Sequence, residues 1–262
     1  MKRHFLLFLI TLAFGTNLTL CAEQITMTDL PIKDGICIKM AVLEQQGFAI
    51  GISEVTQELY EAITGENPSH FIGKKHPVDT ISWYDAIVFC NKLSIALNCV
   101  PVYSVNGSTN PDDWGYSPHS GTSITAGPVE WNYTSEGFRL PTEEEWIYAA
   151  KSGRNGEFAG SGDIEKVGWY SKNSGSKSHE VMTKAPNGYG LYDMCGNAWE
   201  WCWDSYTPKS RYKVLKGGSI NSTKKLCTVT FKGHIYPSRS THNYSYFNFG
   251  LRLVSSAPVT KQ

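Results

Sequence analysis

The strongest constraint on this chain is where its helical periodicity stops. Apolar residues recur at helical spacing in three stretches, all before residue 152; beyond them come only short strand-like runs, Gly turns and Trp. Residues 36–43 and 47–50 read as two strands joined by a polar turn at Glu44-Gln45-Gln46. Thr56 caps a short helix with Leu59, Tyr60 and Ile63 on one face. Ser82 starts a second helix through Trp83, Ala86, Ile87, Cys90 and Leu93, and Thr142-x-x-Glu145 is a capping box for a third, continued by Trp146, Ala149 and Ala150. With 8 Trp, 14 Tyr, 11 Phe, 24 Gly and 12 Pro in 262 residues, the pattern suggests a loop-rich fold whose turns are pinned by large rings, and not a helical bundle. At 41% hydrophobic, a chain of this length buries a core without disulfide staples, which excludes a disordered, collagen-like or multi-spanning membrane protein.

Lys2, Arg3 and His4 followed by an apolar run from Phe5 to Phe14 read as an export signal, residues 1–22, too short to span a bilayer. Cleavage before Cys21 would place a lipid there, although Leu20 is bulky for that position; cleavage after Ala22 is the alternative. Residues 23–35 read as a linker, 102–135 as an elaborated loop without Lys or Arg, and 255–262 as a disordered tail. Setting Cys21 aside leaves Cys37, Cys90, Cys99, Cys195, Cys202 and Cys227, whose pairing, if any, the sequence does not choose. The formal charge is zero but lopsided: from Ser205 onward there are ten basic residues and no acid. Either the two parts neutralise each other on packing, or a basic face awaits an anionic partner.

No GxGxxG, P-loop, HExxH or Gly-x-Ser-x-Gly pattern occurs, and no Cys/His cluster has zinc spacing. What does occur is an ordered string of segments: Glu54-Val55-Thr56, 77–86 (PVDTISWYDA), 137–146 (GFRLPTEEEW), 186–201 (PNGYGLYDMCGNAWEW), Lys216-Gly217-Gly218-Ser219 and Gly250-Leu251-Arg252-Leu253. On these segments the chain resembles the formylglycine-generating enzyme, or sulfatase-modifying factor, family over about residues 36–254. The resemblance implies one α+β domain, a variant of the C-type lectin fold low in regular secondary structure.

It also implies sites. Calcium would be held by the Asp193 and Glu200 side chains with the Gly196 and Ala198 carbonyls, and two carboxylates bracketing a Gly-Asn turn are an oxygen set that suits a hard cation. The family oxidises a substrate cysteine to formylglycine through two cysteines that hold copper(I) just after Gly-Gly-Ser. Here those positions are Ser222 and Cys227, and a hydroxyl is a poor cuprous ligand, so copper and the oxidase reaction are not expected. Many bacterial members are instead binding modules, among them surface lipoproteins diversified near the C-terminus by retroelements. Residues 220–249 suit that role, rich in Tyr, Ser and Asn as paratopes are.

The expectation is therefore an exported, lipid-anchored, non-catalytic protein that binds an anionic protein or glycan, not nucleic acid. Its ligand-binding residues would be Ile220, Ser222, Thr223, Lys224, Phe231, His234, Tyr236, Arg239, His242, Tyr244, Tyr246, Phe247 and Phe249. A formylglycine-generating oxidase is the alternative, with Cys227 catalytic and a second thiol supplied from elsewhere; an iron-dependent sulfoxide synthase would need a histidine-rich motif that the seven scattered histidines do not form. Mass spectrometry of the membrane fraction tests the anchor: the expected mature chain begins at a lipid-modified Cys21, and an unmodified start at Glu23 would refute lipidation while leaving export intact.

Overall fold

A computed structural model describes residues 25–239 and 248–256. Its first half comprises β1 (Ile25–Pro31), β2 (Cys37–Leu43), β3 (Phe48–Gly51), α1 (Gln57–Thr64), α2 (Trp83–Ala96), β4 (Tyr103–Val105), β5 (Val129–Trp131), β6 (Phe138–Arg139) and α3 (Glu143–Lys151). Then follow α4 (Ile164–Val167), β7 (Gly168–Trp169), β8 (Cys195–Gly196), β9 (Trp199–Ser205), β10 (Lys213–Lys216), β11 (Gly233–Ile235), β12 (Phe249–Gly250) and β13 (Val254–Ser255). Strands β1-β2-β3-β13-β6 form one sheet and β11-β10-β9-β12 a second; β4-β5 and β7-β8 are two-stranded.

Local chemistry sets the element starts. The Thr56, Ser82 and Thr142 hydroxyls each accept a backbone N–H of the first turn that follows, and Ser82 and Thr142 form reciprocal capping boxes with Asp85 and Glu145. The β2–β3 connection is a single 3-10 turn over Glu44–Gln46, closed by Gly47 at φ 71°. The helices bury their apolar faces in two clusters. One gathers Tyr60, Trp83, Phe89, Trp114 and Trp201 around α1 and α2; the other sets Trp146, Phe158, Cys195, Cys202 and Cys227 beneath α3. Cys90, Cys99, Cys195, Cys202 and Cys227 are free thiols, all but Cys99 buried. Among the described residues no helix is long and apolar enough to cross a membrane.

Two sequence expectations change. Residues 25–31 of the expected linker are a strand, paired with β2 along its whole length from Ile25↔Leu43 to Pro31↔Cys37. Leu30 is its single buried residue, so β1 is held by edge pairing and leaves almost no hydrophobic trace in the sequence. At the other end, Ser255 of the expected tail lies in β13; the signal segment with Cys21, and residues 257–262, lie outside the described residues.

The α3 start carries a buried ion pair. Arg139, 4% exposed, gives two hydrogen bonds to Glu145 (2.7 and 2.6 Å), while the Thr142 N–H donates to the same carboxylate at 2.8 Å. Glu145→Ala leaves the Arg139 charge with only the neutral Ser256 and Leu140 oxygens as partners and should lower the unfolding free energy by about 3 kcal/mol, against about 1 kcal/mol for Thr142→Ala. Urea titration of both variants checks this. Equal losses would mean that the arginine finds water once its partner is gone.

Candidate binding surface

The Gly-Gly-Ser motif ends β10 in a turn that only glycine can make. Gly217 and Gly218 have φ of 87° and 81°, and a Cβ on Gly218 would lie 2.6 Å from the Cys227 sulfur. The turn is closed from within: the Ser219 N–H donates to Ser222 Oγ at 2.9 Å, and the Ser222 N–H to the Ser219 carbonyl at 2.9 Å. Ser222 is thus a buried turn residue, not a ligand-facing one. Cys227 is fully buried, and burial pushes its thiol up to about 12, with nearby Cys195 adding to the rise. The Cys195 thiol, also raised to about 12 by burial, accepts the Ala159 N–H at 3.3 Å. A two-thiolate copper(I) site does not fit these residues, because Ser222 supplies a hydroxyl already used by its own turn and both thiols are held protonated.

The segment from Asp193 to Glu200 is shaped by three left-handed residues, Asp193 (φ 58°), Gly196 (87°) and Asn197 (60°). Parallel pairing of β8 with β7 brings Gly196 against the Trp169 carbonyl, where a Cβ would sit 2.0 Å away. Glu200 is fully buried and committed: Arg252 donates from Nη2 at 2.7 Å and from Nε at 3.0 and 3.1 Å, and Trp146 Nε1 at 2.6 Å. Glu54, placed in a motif segment by the sequence but given no role there, accepts Asn197 Nδ2 and the Ala198 N–H, both at 2.8 Å. Asp193 takes the Met182 N–H at 2.7 Å on one oxygen and leaves the other buried without a partner.

The calcium set implied by the resemblance does not fit this arrangement. A permanent cation, Arg252, holds the Glu200 carboxylate that calcium would need.

Of three neighbouring buried carboxylates, Arg252 hydrogen-bonds only Glu200, so Glu54 and Asp193 are protonated more readily than free acids. Burial raises Glu54 well above its usual range, helped by the charges of Asp193 and Glu200, and burial raises Asp193 to about 6.

The C-terminal segment divides between core and surface. Ile220 and Phe249 are buried at 0% and 1% exposure, which removes them, with Ser222, from the expected contact residues. Phe249 packs beside Trp201, with 5.4 Å between ring centres. Phe231 is half-buried and packs on Trp199 at 6.1 Å. Thr223, Lys224, His234, Tyr236 and Arg239 are exposed, Tyr236 at 48%. His242, Tyr244, Tyr246 and Phe247 lie outside the described residues.

Exposed His234 and Tyr236 and half-buried Tyr206 and Tyr212 form a ladder beside β10 and β11. Tyr206 stacks on His234 at 3.9 Å, Tyr212 meets His234 edge-on at 5.3 Å, and Tyr212 packs on Tyr236 at 4.4 Å. Tyr206 and Tyr212 belong to the β9–β10 turn; their link to His234 is the Val214↔His234 register, which no local sequence signal carries. The charge asymmetry is partly absorbed here. Glu143 pairs with Lys232 at 2.6 Å and Lys216 at 3.8 Å, and Lys213 sits 4.1 Å from the Trp83 ring centre, where burial lowers its amine to about 8. Lys209, Arg211 and Lys225 remain exposed.

Comparison with known proteins fits this geometry. A profile described as "Sulfatase-modifying factor enzyme 1-like domain" matches residues 33–257. The chain belongs to the sulfatase-modifying factor family. It is 33% identical over 234 residues to the "Chaperone protein LppX" of Paenibacillus barcinonensis, covering 80% of each chain. To the "Formylglycine-generating enzyme" of Streptomyces coelicolor it is 30% identical over 170 residues, about half of each chain (50% and 52%). Among solved structures it resembles "Treponema denticola variable protein 1", with a TM-score of 0.73 and 33% identity over 88% of this chain and 99% of that one. The fold of this sulfatase-modifying factor family member is the family's variant of the C-type lectin fold.

A carboxyl that is protonated more readily folded than unfolded stabilises the fold at low pH, and that contribution fades as pH rises through its folded value. Asp193 should therefore contribute roughly 3 kcal/mol more near pH 4 than at pH 7. The check is the pH dependence of denaturant unfolding in wild type minus that in Asp193→Asn, a difference that should fall across this window. A flat difference would show that Asp193 titrates normally. Chelation with EDTA should leave the wild-type melting temperature unchanged, since Glu200 is held by Arg252 and not by an ion.

Proposed function

We propose that this protein is an exported, lipid-anchored binding module that does not generate formylglycine. The observation that carries the reading is the fate of the two family cysteine positions: one is a serine whose hydroxyl closes its own turn, the other a thiol sealed beneath Gly218. Export and anchoring rest on the basic start, the short apolar run and Cys21. The ligand surface is the ring ladder of Tyr206, Tyr212, His234 and Tyr236 with the cations Lys209, Arg211 and Arg239. Rings give large contact area at low entropic cost, and cations without neighbouring acids in sequence favour an anionic partner. Between protein and glycan, a relative named as a chaperone supports a polypeptide, and the charge supports an acidic one.

Two measurements test the reading. Incubated with copper(I), oxygen and a sulfatase-type cysteine peptide, the protein should leave the peptide mass unchanged, and Ser222→Cys should be required before any conversion. A fluorescent polyglutamate peptide should bind at low salt and weaken steeply as salt is raised. The double substitution His234→Ala with Tyr236→Ala should weaken it about tenfold or more while circular dichroism stays unchanged. Peptide oxidation by the wild type, or polyglutamate binding indifferent to both salt and substitution, would overturn the proposal.

A further inference from the structure

The loop between β4 and β5 is tied to α1 and α2 through two side chains, Tyr116 and His119. His119 has φ 57°, a left-handed conformation costly for a residue with a Cβ, and its side chain is 10% exposed. Its N–H donates to Asp85 Oδ1 at 2.9 Å. The ring lies between two carboxylates from different elements: Nδ1 is 3.5 Å from Asp85 Oδ1 on the first turn of α2, and Nε2 is 3.4 Å from Glu66 Oε2 just beyond α1. Both ring nitrogens are buried and neither makes a hydrogen bond.

This geometry has a chemical consequence. A neutral imidazole carries one N–H, so one of its lone pairs would face a carboxylate oxygen; the imidazolium presents an N–H to each. The other titratable groups facing the ring are Tyr60, at 6.0 Å between ring centres, and Tyr116, whose hydroxyl donates to Asp85 Oδ1 at 2.9 Å. Neither is a cation, and no Lys or Arg among the described residues forms an ion pair with Asp85 or Glu66. Burial acts to raise the Asp85 carboxyl, yet hydrogen bonding and the charge of His119, with the Ser82 bond, hold it below its ordinary value.

We propose that His119 is a proton-operated catch for a strap formed by residues 114–126. The strap is fastened to α1 and α2 when the imidazole is doubly protonated and loosened when one proton leaves. Tyr116 of the strap packs on Tyr84 at 5.8 Å, and the next residue back, Trp83, donates its N–H to the Pro237 carbonyl at 2.9 Å. Release of the strap therefore removes a support of the ring ladder's neighbourhood, and this last consequence alone rests on the binding reading.

Amide hydrogen exchange in residues 114–126 of the full chain, corrected for intrinsic pH dependence, reads the catch without any ligand. Between about pH 5 and pH 9, strap opening should rise about tenfold in the wild type. His119→Gln should remove that rise. Glu66→Gln, at a side chain 62% exposed, should roughly halve it on a logarithmic scale, and decides the matter if His119→Gln does not fold. Equal wild-type protection at both pH values, or an unaltered rise in either variant, would overturn the catch while leaving ligand binding untouched.

Discussion

The Glu200–Arg252 pair is the joint on which the domain turns. Arg252 is fully buried and spends its guanidinium on Glu200 in β9, on the Gly51 carbonyl in β3 at 2.9 Å and on the Tyr192 carbonyl at 2.8 Å. Trp146 of α3 completes the Glu200 shell. One side chain thereby links both sheets, a helix and the long irregular stretch between them. An ion pair without water is weak evidence for net stability, because desolvation offsets much of the attraction; it is strong evidence for specificity, since removing either member costs about 3–5 kcal/mol. In a fold with so little regular structure, a fixed charge pair selects one arrangement of loops among many.

That frame is separable from the chemistry its family is named for. The glycine turn, the left-handed Asp193–Asn197 stretch and the charge pair are backbone devices, and they persist with a serine in place of a thiol at residue 222. The ring ladder lies one strand away, where Tyr206 and Tyr212 of the β9–β10 turn meet His234 of β11 and Tyr236 just beyond it.

How much of this was legible depends on distance along the chain. Caps at Thr56, Ser82 and Thr142 announce themselves because donor and acceptor are three residues apart. The resemblance placed the fold, and its motifs carry both Glu200 and Arg252, yet 52 residues separate the two and no spacing rule pairs them. The basic C-terminal count was visible; that Glu143 neutralises Lys232 was not, because register and not composition decides it. Strand β1 was missed for want of buried residues, and Ile220 and Phe249 were misplaced because a buried apolar side chain and an exposed one look alike without alternation to separate them.

Strand β13 sits between β3 and β6, bonded to both, although it lies within the last residues described. Strands β3 and β6 therefore each keep an unpaired edge until the chain as far as Ser255 is available to them. Such a domain folds late and through contacts distant in sequence, which makes its unfinished state the one most exposed to mispairing with other chains.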